Sequence, residues 1–165
     1  MKYQWNEIMC DIENNNYHKI VQMCKKLDIK EYEDTMSELI NEMKNTNHVS
    51  HRNTIAIVLM DLKYNPAIEE MITLIENSKN SNCIGTLVYA LQNLDCEKSI
   101  VRIFDLILKG NYEVRCNMYN LLECKIDKMD EADRKKCFEI LQEEKAKTKE
   151  TLELIEDIEE NIFEK

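Results

Sequence analysis

Apolar residues recur along this chain at intervals of three and four, the spacing that gathers side chains on one face of an α-helix. Trp5, Ile8, Met9 and Ile12 form a first run, and Tyr17, Ile20, Val21, Cys24 and Leu27 a second, on either side of the polar break Asn14-Asn15-Asn16. Together they predict a helical hairpin. Tyr32, Met36, Leu39, Ile40 and Met43 fall at i, i+4, i+7, i+8 and i+11, which predicts a third helix opening near residues 28–30. The polar stretch Asn45-Thr46-Asn47-His48 ends it, and Ser50 is placed to cap the next helix by accepting from an orphan backbone N–H.

The central section repeats when slid by 32 residues. Ile55, Leu59, Leu62, Ile68, Met71, Ile72, Leu74 and Ile75 then fall on Leu87, Leu91, Leu94, Ile100, Ile103, Phe104, Leu106 and Ile107 without a gap. A helical hairpin cannot bury its apolar stripe alone, whereas a second copy stacked on the first turns two exposed stripes into one core. A third copy begins at Asn111 with Val114, Met118, Leu121 and Leu122, turns around residues 126–130, and continues with Cys137, Ile140 and Leu141 in a drifting register. Residues 145–165 carry Leu152, Ile155, Ile158 and Ile162 on one face and predict a terminal helix that closes the stack.

Composition agrees with helices throughout. Two glycines, Gly85 and Gly110, and one proline, Pro66, are too few turn residues for a strand-rich domain. A length of 165 residues and 44% hydrophobic content fit one domain with a sizeable core. Its expected parts are capping helices in 1–47, repeats in 50–142 and a C-terminal helix in 145–165. No run of about 18 apolar residues occurs and no apolar stretch follows the first residues, so the expected location is the cytoplasm. The seven cysteines contain no Cys-x-x-Cys pair and read as reduced core residues.

The net charge of −10 changes the picture of partners, because each phosphate contact would start against a repulsive field. Residues 143–165 hold nine acidic and four basic side chains, a net of −5, so the charge is lopsided. Nucleic acid is disfavoured further by having four scattered arginines, Arg52, Arg102, Arg115 and Arg134. A basic protein is the expected partner.

Pro66-Ala67-Ile68 followed by Met71, Ile72, Leu74 and Ile75 resembles the second helix of a HEAT repeat, and Val114-Arg115 with Met118 and Leu122 resembles a first helix. Arg52, Ile55 and Leu59 fit in part, and Ile84 replaces the arginine of the middle copy. The resemblance covers residues 51 to about 142 with a period shorter than the roughly 40 residues usual for such repeats. It implies an all-α, short right-handed α-solenoid of eight or nine helices. Gly85-Thr86-Leu87-Val88-Tyr89-Ala90-Leu91 and Gly110-Asn111-Tyr112-Glu113-Val114 are also similar to small bacterial HEAT-like immunity proteins of polymorphic toxin systems. That resemblance implies a protein, monomeric until bound, that neutralises a cognate basic toxin domain by occupying it. A general adaptor and an enzyme with an unrecognised pocket remain open beside it.

Sites of chemistry are sparse. His48 and His51 offer two metal ligands at i, i+3 but lack a third at a defined spacing, and read as a solvated pair; His18 beside Tyr17 reads as a surface or capping residue. No cysteine lies in a nucleophile motif, neither glycine belongs to a phosphate-cradling loop, and no cofactor is implied. Glu69-Glu70, Glu143-Glu144 and Glu159-Glu160 are sequence neighbours whose side chains diverge by about 100° on a helix, so they act only collectively, steering a cationic partner about 10 to 1000-fold faster at low salt. Second helices of stacked hairpins line the concave side, which makes Glu69, Glu70, Thr73, Glu76, Arg102 and Asp105 the expected partner-facing set. Tyr64, Tyr89, Tyr112 and Tyr119 divide between core and interface, with Tyr64 and Tyr112, next to predicted turns, assigned to the interface.

Overall fold

The computed structural model describes residues 2–78 and 83–158, with side chains placed for residues 5–78 and 83–157. The expected apolar position Ile162 and the pair Glu159-Glu160 lie outside the described residues, as does the side chain of Ile158. Among the described residues nine α-helices occur and no strand: α1 (Lys2–Glu13), α2 (Tyr17–Cys24), α3 (Ile29–Asn45), α4 (Val49–Asp61), α5 (Ile68–Glu76), α6 (Gly85–Leu91), α7 (Ile100–Leu108), α8 (Tyr112–Lys125) and α9 (Glu131–Ile158). Single 3₁₀ turns at Asn65–Ala67, Glu97–Ser99 and Ile126–Lys128 lead into or out of them.

Local chemistry sets most of these ends. Asp28 caps α3 by accepting from the Glu31 N–H at 2.9 Å, and Asn111 caps α8 by accepting from the Val114 N–H at 3.0 Å. Asp130 does the same for α9 with the Asp133 N–H at 2.8 Å. The break at Asn14-Asn15-Asn16 is a helix stop in which Asn15 takes a left-handed conformation, φ 56°, while Asn16 N–H donates to the Asp11 carbonyl and Asn15 N–H to that of Ile12. Lys63, φ 53°, ends α4 in the same way, with Tyr64 N–H on the Leu59 carbonyl and Lys63 N–H on that of Met60. Pro66 sits in the turn before α5, where a missing N–H costs nothing.

Two local expectations change. Ser50 does not cap α4: the helix begins at Val49 after His48, and the Ser50 hydroxyl donates to Asn15 Oδ1 at 2.7 Å. The boundary expected between residues 142 and 145 falls inside α9, a single 28-residue helix. Gln142-Glu143-Glu144-Lys145-Ala146-Lys147 contains only good helix formers and no capping residue, so nothing there stops the backbone.

The chain divides into two compact units, Met1–Lys128 and Met129–Lys165. In the first, α2, α4, α6 and α8 pack as successive neighbours in one row and α3, α5 and α7 in a second. The rows meet through α3 on α4, α5 on α6 and α7 on α8, and α1 packs on α2 and α4. Between them lie Ile55, Leu59, Met71, Ile72, Ile75, Leu87, Leu91, Ile103, Phe104 and Ile107, all buried. Of the eight apolar pairs aligned by the 32-residue slide, seven share the same burial and only Leu62 and Leu94 differ, half-buried and buried respectively, so the repetition in sequence is a repetition of packing.

Polar bonds also reach one copy along. Asn65 Nδ2 donates to Asp95 at 2.6 Å, Asn117 Nδ2 to the Gly85 carbonyl at 3.2 Å, and the Arg52 guanidinium to the Cys83 carbonyl. The α7–α8 turn has room only for glycine: a Cβ on Gly110 would stand 2.5 Å from Val114 Cγ1 and 2.7 Å from Val114 Cβ. The second unit consists, in its described part, of α9 and the residues leading into it.

Candidate partner-binding surfaces

The expected acidic set occupies the outward positions of α5 and α7, and its charges are engaged by neighbours. Arg102 at the start of α7 donates through Nη1 to Glu69 at 2.8 Å, and through Nε and Nη2 to Glu76 at 3.1 and 2.9 Å, spanning two turns of α5. Glu70 pairs with Lys44 of α3 at 3.3 Å and Asp105 with Lys109 at 2.5 Å. Glu69 also accepts from the Ser99 hydroxyl at 3.3 Å, and the Thr73 hydroxyl donates to the Glu69 carbonyl at 2.8 Å.

The result is a ladder of ion pairs across α3, α5 and α7, four carboxylates against three cations. Hydrogen bonds from Arg102 hold the Glu69 carboxyl below its ordinary value, and Glu76 and then Glu69 push the Arg102 guanidinium above its own. A partner meeting this face finds carboxylates that already have cations. Reversing Glu69, Glu70 and Glu76 to lysine would set three new cations against Lys44 and Arg102, so that substitution tests the ladder rather than the partner.

The two assigned tyrosines differ. Tyr64 is half-buried, donates to Glu33 at 2.9 Å and stands edge-on to Tyr32 at a centroid distance of 6.1 Å. Burial first, then the bond to Glu33, pushes its phenol up to about 12, and its contacts with Glu33 and Tyr32 hold it against α3. Tyr112, the first residue of α8, is exposed, as are Tyr119 one face-repeat later on the same helix and Tyr89 on α6.

These three tyrosines belong to the other row of helices. With an offset of 30, Ile84, Val88 and Leu91 fall on Val114, Met118 and Leu121, all buried, and Tyr89 falls on Tyr119, both exposed. One copy earlier the equivalent of Tyr89 is Ile57. Ile57 and Tyr89, with Tyr17, His18, Met60 and Asp61, line an open cleft of about 370 Å³ along α2, α4 and α6. A second depression sharing Tyr17 and Ile57 continues it past Val49, Asn53 and Thr86. Ile57 is half-buried, whereas Tyr89 at the cleft and Tyr119 at the equivalent position on α8 are exposed, and large amphipathic side chains of this kind are what a protein partner grips.

The slide that aligns the repeats already places Ile57 on Tyr89, a signal in the sequence. The offset of 30 that brings Tyr119 into line was hidden by the shorter α7–α8 connection, residues 109–111 against 77–84 between α5 and α6.

Remaining candidates for chemistry stay simple. His48 and His51 lie 4.8 Å apart between ring centroids, and His18 lies 4.1 Å from Tyr17. No group of three metal-ligating side chains exists among the described residues. All seven cysteines are free thiols, but packing explains only the buried Cys24, Cys96 and Cys137; Cys10 and Cys124 are exposed. No helix is long and apolar enough to cross a membrane among the described residues. No protein-family model, no curated protein and no solved structure matches this chain.

Proposed function

We propose that the chain is a protein-binding module of HEAT-like type, a short right-handed α-solenoid, and that it works as a cytoplasmic immunity protein that occupies and neutralises a cognate basic toxin domain. The observation that carries this reading is the set of exposed tyrosines, Tyr89, Tyr112 and Tyr119, on consecutive helices of one row, the first of them lining a cleft with Tyr17 and His18. Two rows of helices with matched burial one period apart support the repeat architecture, because each copy covers its neighbour's apolar stripe and leaves whole outer faces for recognition. The charge of −10 supports a cationic partner, which it draws in at long range before the tyrosines make contact. Glu69, Glu70, Thr73, Glu76, Arg102 and Asp105, on the other row of helices, form a second polar surface, separate from the tyrosines, whose ion pairs a partner's cations would exchange with.

The test is co-expression with the product of the adjacent upstream gene, followed by affinity capture and a growth-rescue assay. A stable complex that protects the cell is the expected result. Tyr89→Ala combined with Tyr119→Ala should weaken capture by at least about 10-fold while leaving the circular dichroism spectrum unchanged. Capture that is indifferent to both tyrosines would remove the surface, and the absence of any complex would remove the function.

A further inference from the structure

Half of the large apolar side chains exposed among the described residues lie on one helix, α9: Phe138 is 62% exposed, Leu141 41%, Leu152 53%, Ile155 48% and Leu154 60%. Four of these five fall on a seam repeating every three and four residues. Counted in sevens, one seam position holds Phe138, Lys145 and Leu152 and the other holds Leu141, Thr148 and Ile155. At 28 residues the helix is roughly 42 Å long, enough for a two-stranded coil of several layers. A helix draws most of its stability from packing an apolar face, and these seam side chains are exposed.

We infer that α9 pairs with α9 of a second copy of this chain, antiparallel, through that seam. The occupant is identified by self-complementarity. In the antiparallel register Phe138 faces the partner's Ile155 and Leu141 the partner's Leu152, and the two-fold axis repeats both layers, so every apolar seam residue meets an apolar one. The two polar layers fall together at the axis, where Lys145 lies beside the partner's Thr148.

Flanking charges agree: Lys135 comes beside the partner's Glu156 at both ends, and Gln142 beside the partner's Lys149, with no like-charge pair at these positions. Among the described residues Lys135 pairs with exposed Glu139 of its own helix at 3.8 Å, a contact weak enough to exchange. The parallel arrangement is disfavoured at one residue, because it sets Lys145 directly against the partner's Lys145 in the same layer, whereas the antiparallel one places the two lysines in adjacent layers, each opposite a threonine. Leu154 lies off the seam and takes no part. Such a pair replaces the monomer expected from the sequence.

Sedimentation velocity on the full chain tests the pairing. Two-chain mass that falls to one chain on dilution is expected, and Leu152→Glu should weaken association by at least about 10-fold with helical content retained. Should Leu152→Glu fail to fold, Lys135→Glu weakens the pair through the rim alone, and adding Glu156→Lys in the same chain restores it. Orientation is read by disulfide trapping in chains carrying Cys10→Ser and Cys124→Ser. Leu141→Cys mixed with Leu152→Cys should cross-link, and Leu141→Cys alone should not. One-chain mass at every concentration, a pair unaffected by Leu152→Glu, or self-cross-linking of Leu141→Cys would each overturn the inference.

Discussion

Asn15 and Lys63 take the same left-handed backbone conformation at the ends of α1 and α4, yet they respond oppositely to glycine. Lys63 has a Cβ in a region where only glycine, asparagine and aspartate are at ease, so Lys63→Gly should raise stability by up to about 1 kcal/mol in urea unfolding. Asn15 uses its side chain, accepting from the Ser50 hydroxyl at 2.7 Å and from the Thr54 hydroxyl at 2.8 Å, and Asn15→Gly should lower stability by about 1 kcal/mol through the loss of those bonds. The reverse order would mean that side-chain bonding at Asn15 contributes nothing.

The thiols separate just as clearly. Burial pushes Cys24 and Cys96 up to about 11, so neither carries appreciable thiolate at neutral pH. Alkylation of the native chain, followed by mass spectrometry, should mark Cys10 and Cys124 first and reach Cys24 and Cys96 only on unfolding. Reading all seven as core residues failed because helical periodicity places a residue near an apolar face without saying whether a neighbouring helix reaches that edge of it.

At the scale of elements, α8 is fastened to the chain between α6 and α7 by a buried lysine. Lys125 Nζ donates to the Leu94 carbonyl at 2.5 Å and pairs with the mostly buried Glu97 at 3.4 Å. Lys125→Met strips Glu97 of that cation and the carbonyl of its donor, and should destabilise the N-terminal unit by about 3 kcal/mol, read as a lowered urea midpoint. A neutral result would mean that Glu97 takes Lys128, at 3.9 Å, in its place.

The α5–α7 ladder answers to pH instead. Arg102 lowers the Glu69 carboxyl from its ordinary 4.5, so the pairing is complete above that value and is lost as pH falls through the lower folded one. The Arg102 Nη1–H resonance, on the nitrogen that donates to Glu69, should therefore shift with acidification along a carboxylate titration and stay constant from pH 5 upward. The helices and their repetition were legible from spacing alone, with α3 expected to open near residues 28–30 and a copy to begin at Asn111. The ladder was not, because its members sit 26 to 33 residues apart and meet only when α3, α5 and α7 lie side by side.

For the whole molecule, a net charge of −10 makes association with a cationic partner a salt-dependent event. Stopped-flow measurement should show the association rate falling steeply with added salt while dissociation changes little. Equal rates at low and high salt would remove the electrostatic part of the proposed function. The local balance departs from the global one: the face expected to present bare carboxylates is nearly neutral, so the field comes from the rest of the surface.

What the order of residues determined by itself was the helical class, most of the helix ends, and the stacking of copies one period apart. Each depends on side chains within a few residues of one another or on a stripe that must find an equal stripe to cover it. Tertiary structure alone decided which face each tyrosine occupies and which carboxylates of α5 find cations on neighbouring helices. Those outcomes depend on distances between helices far apart in sequence, and periodicity carries the direction of a side chain from its own axis but not what stands opposite it.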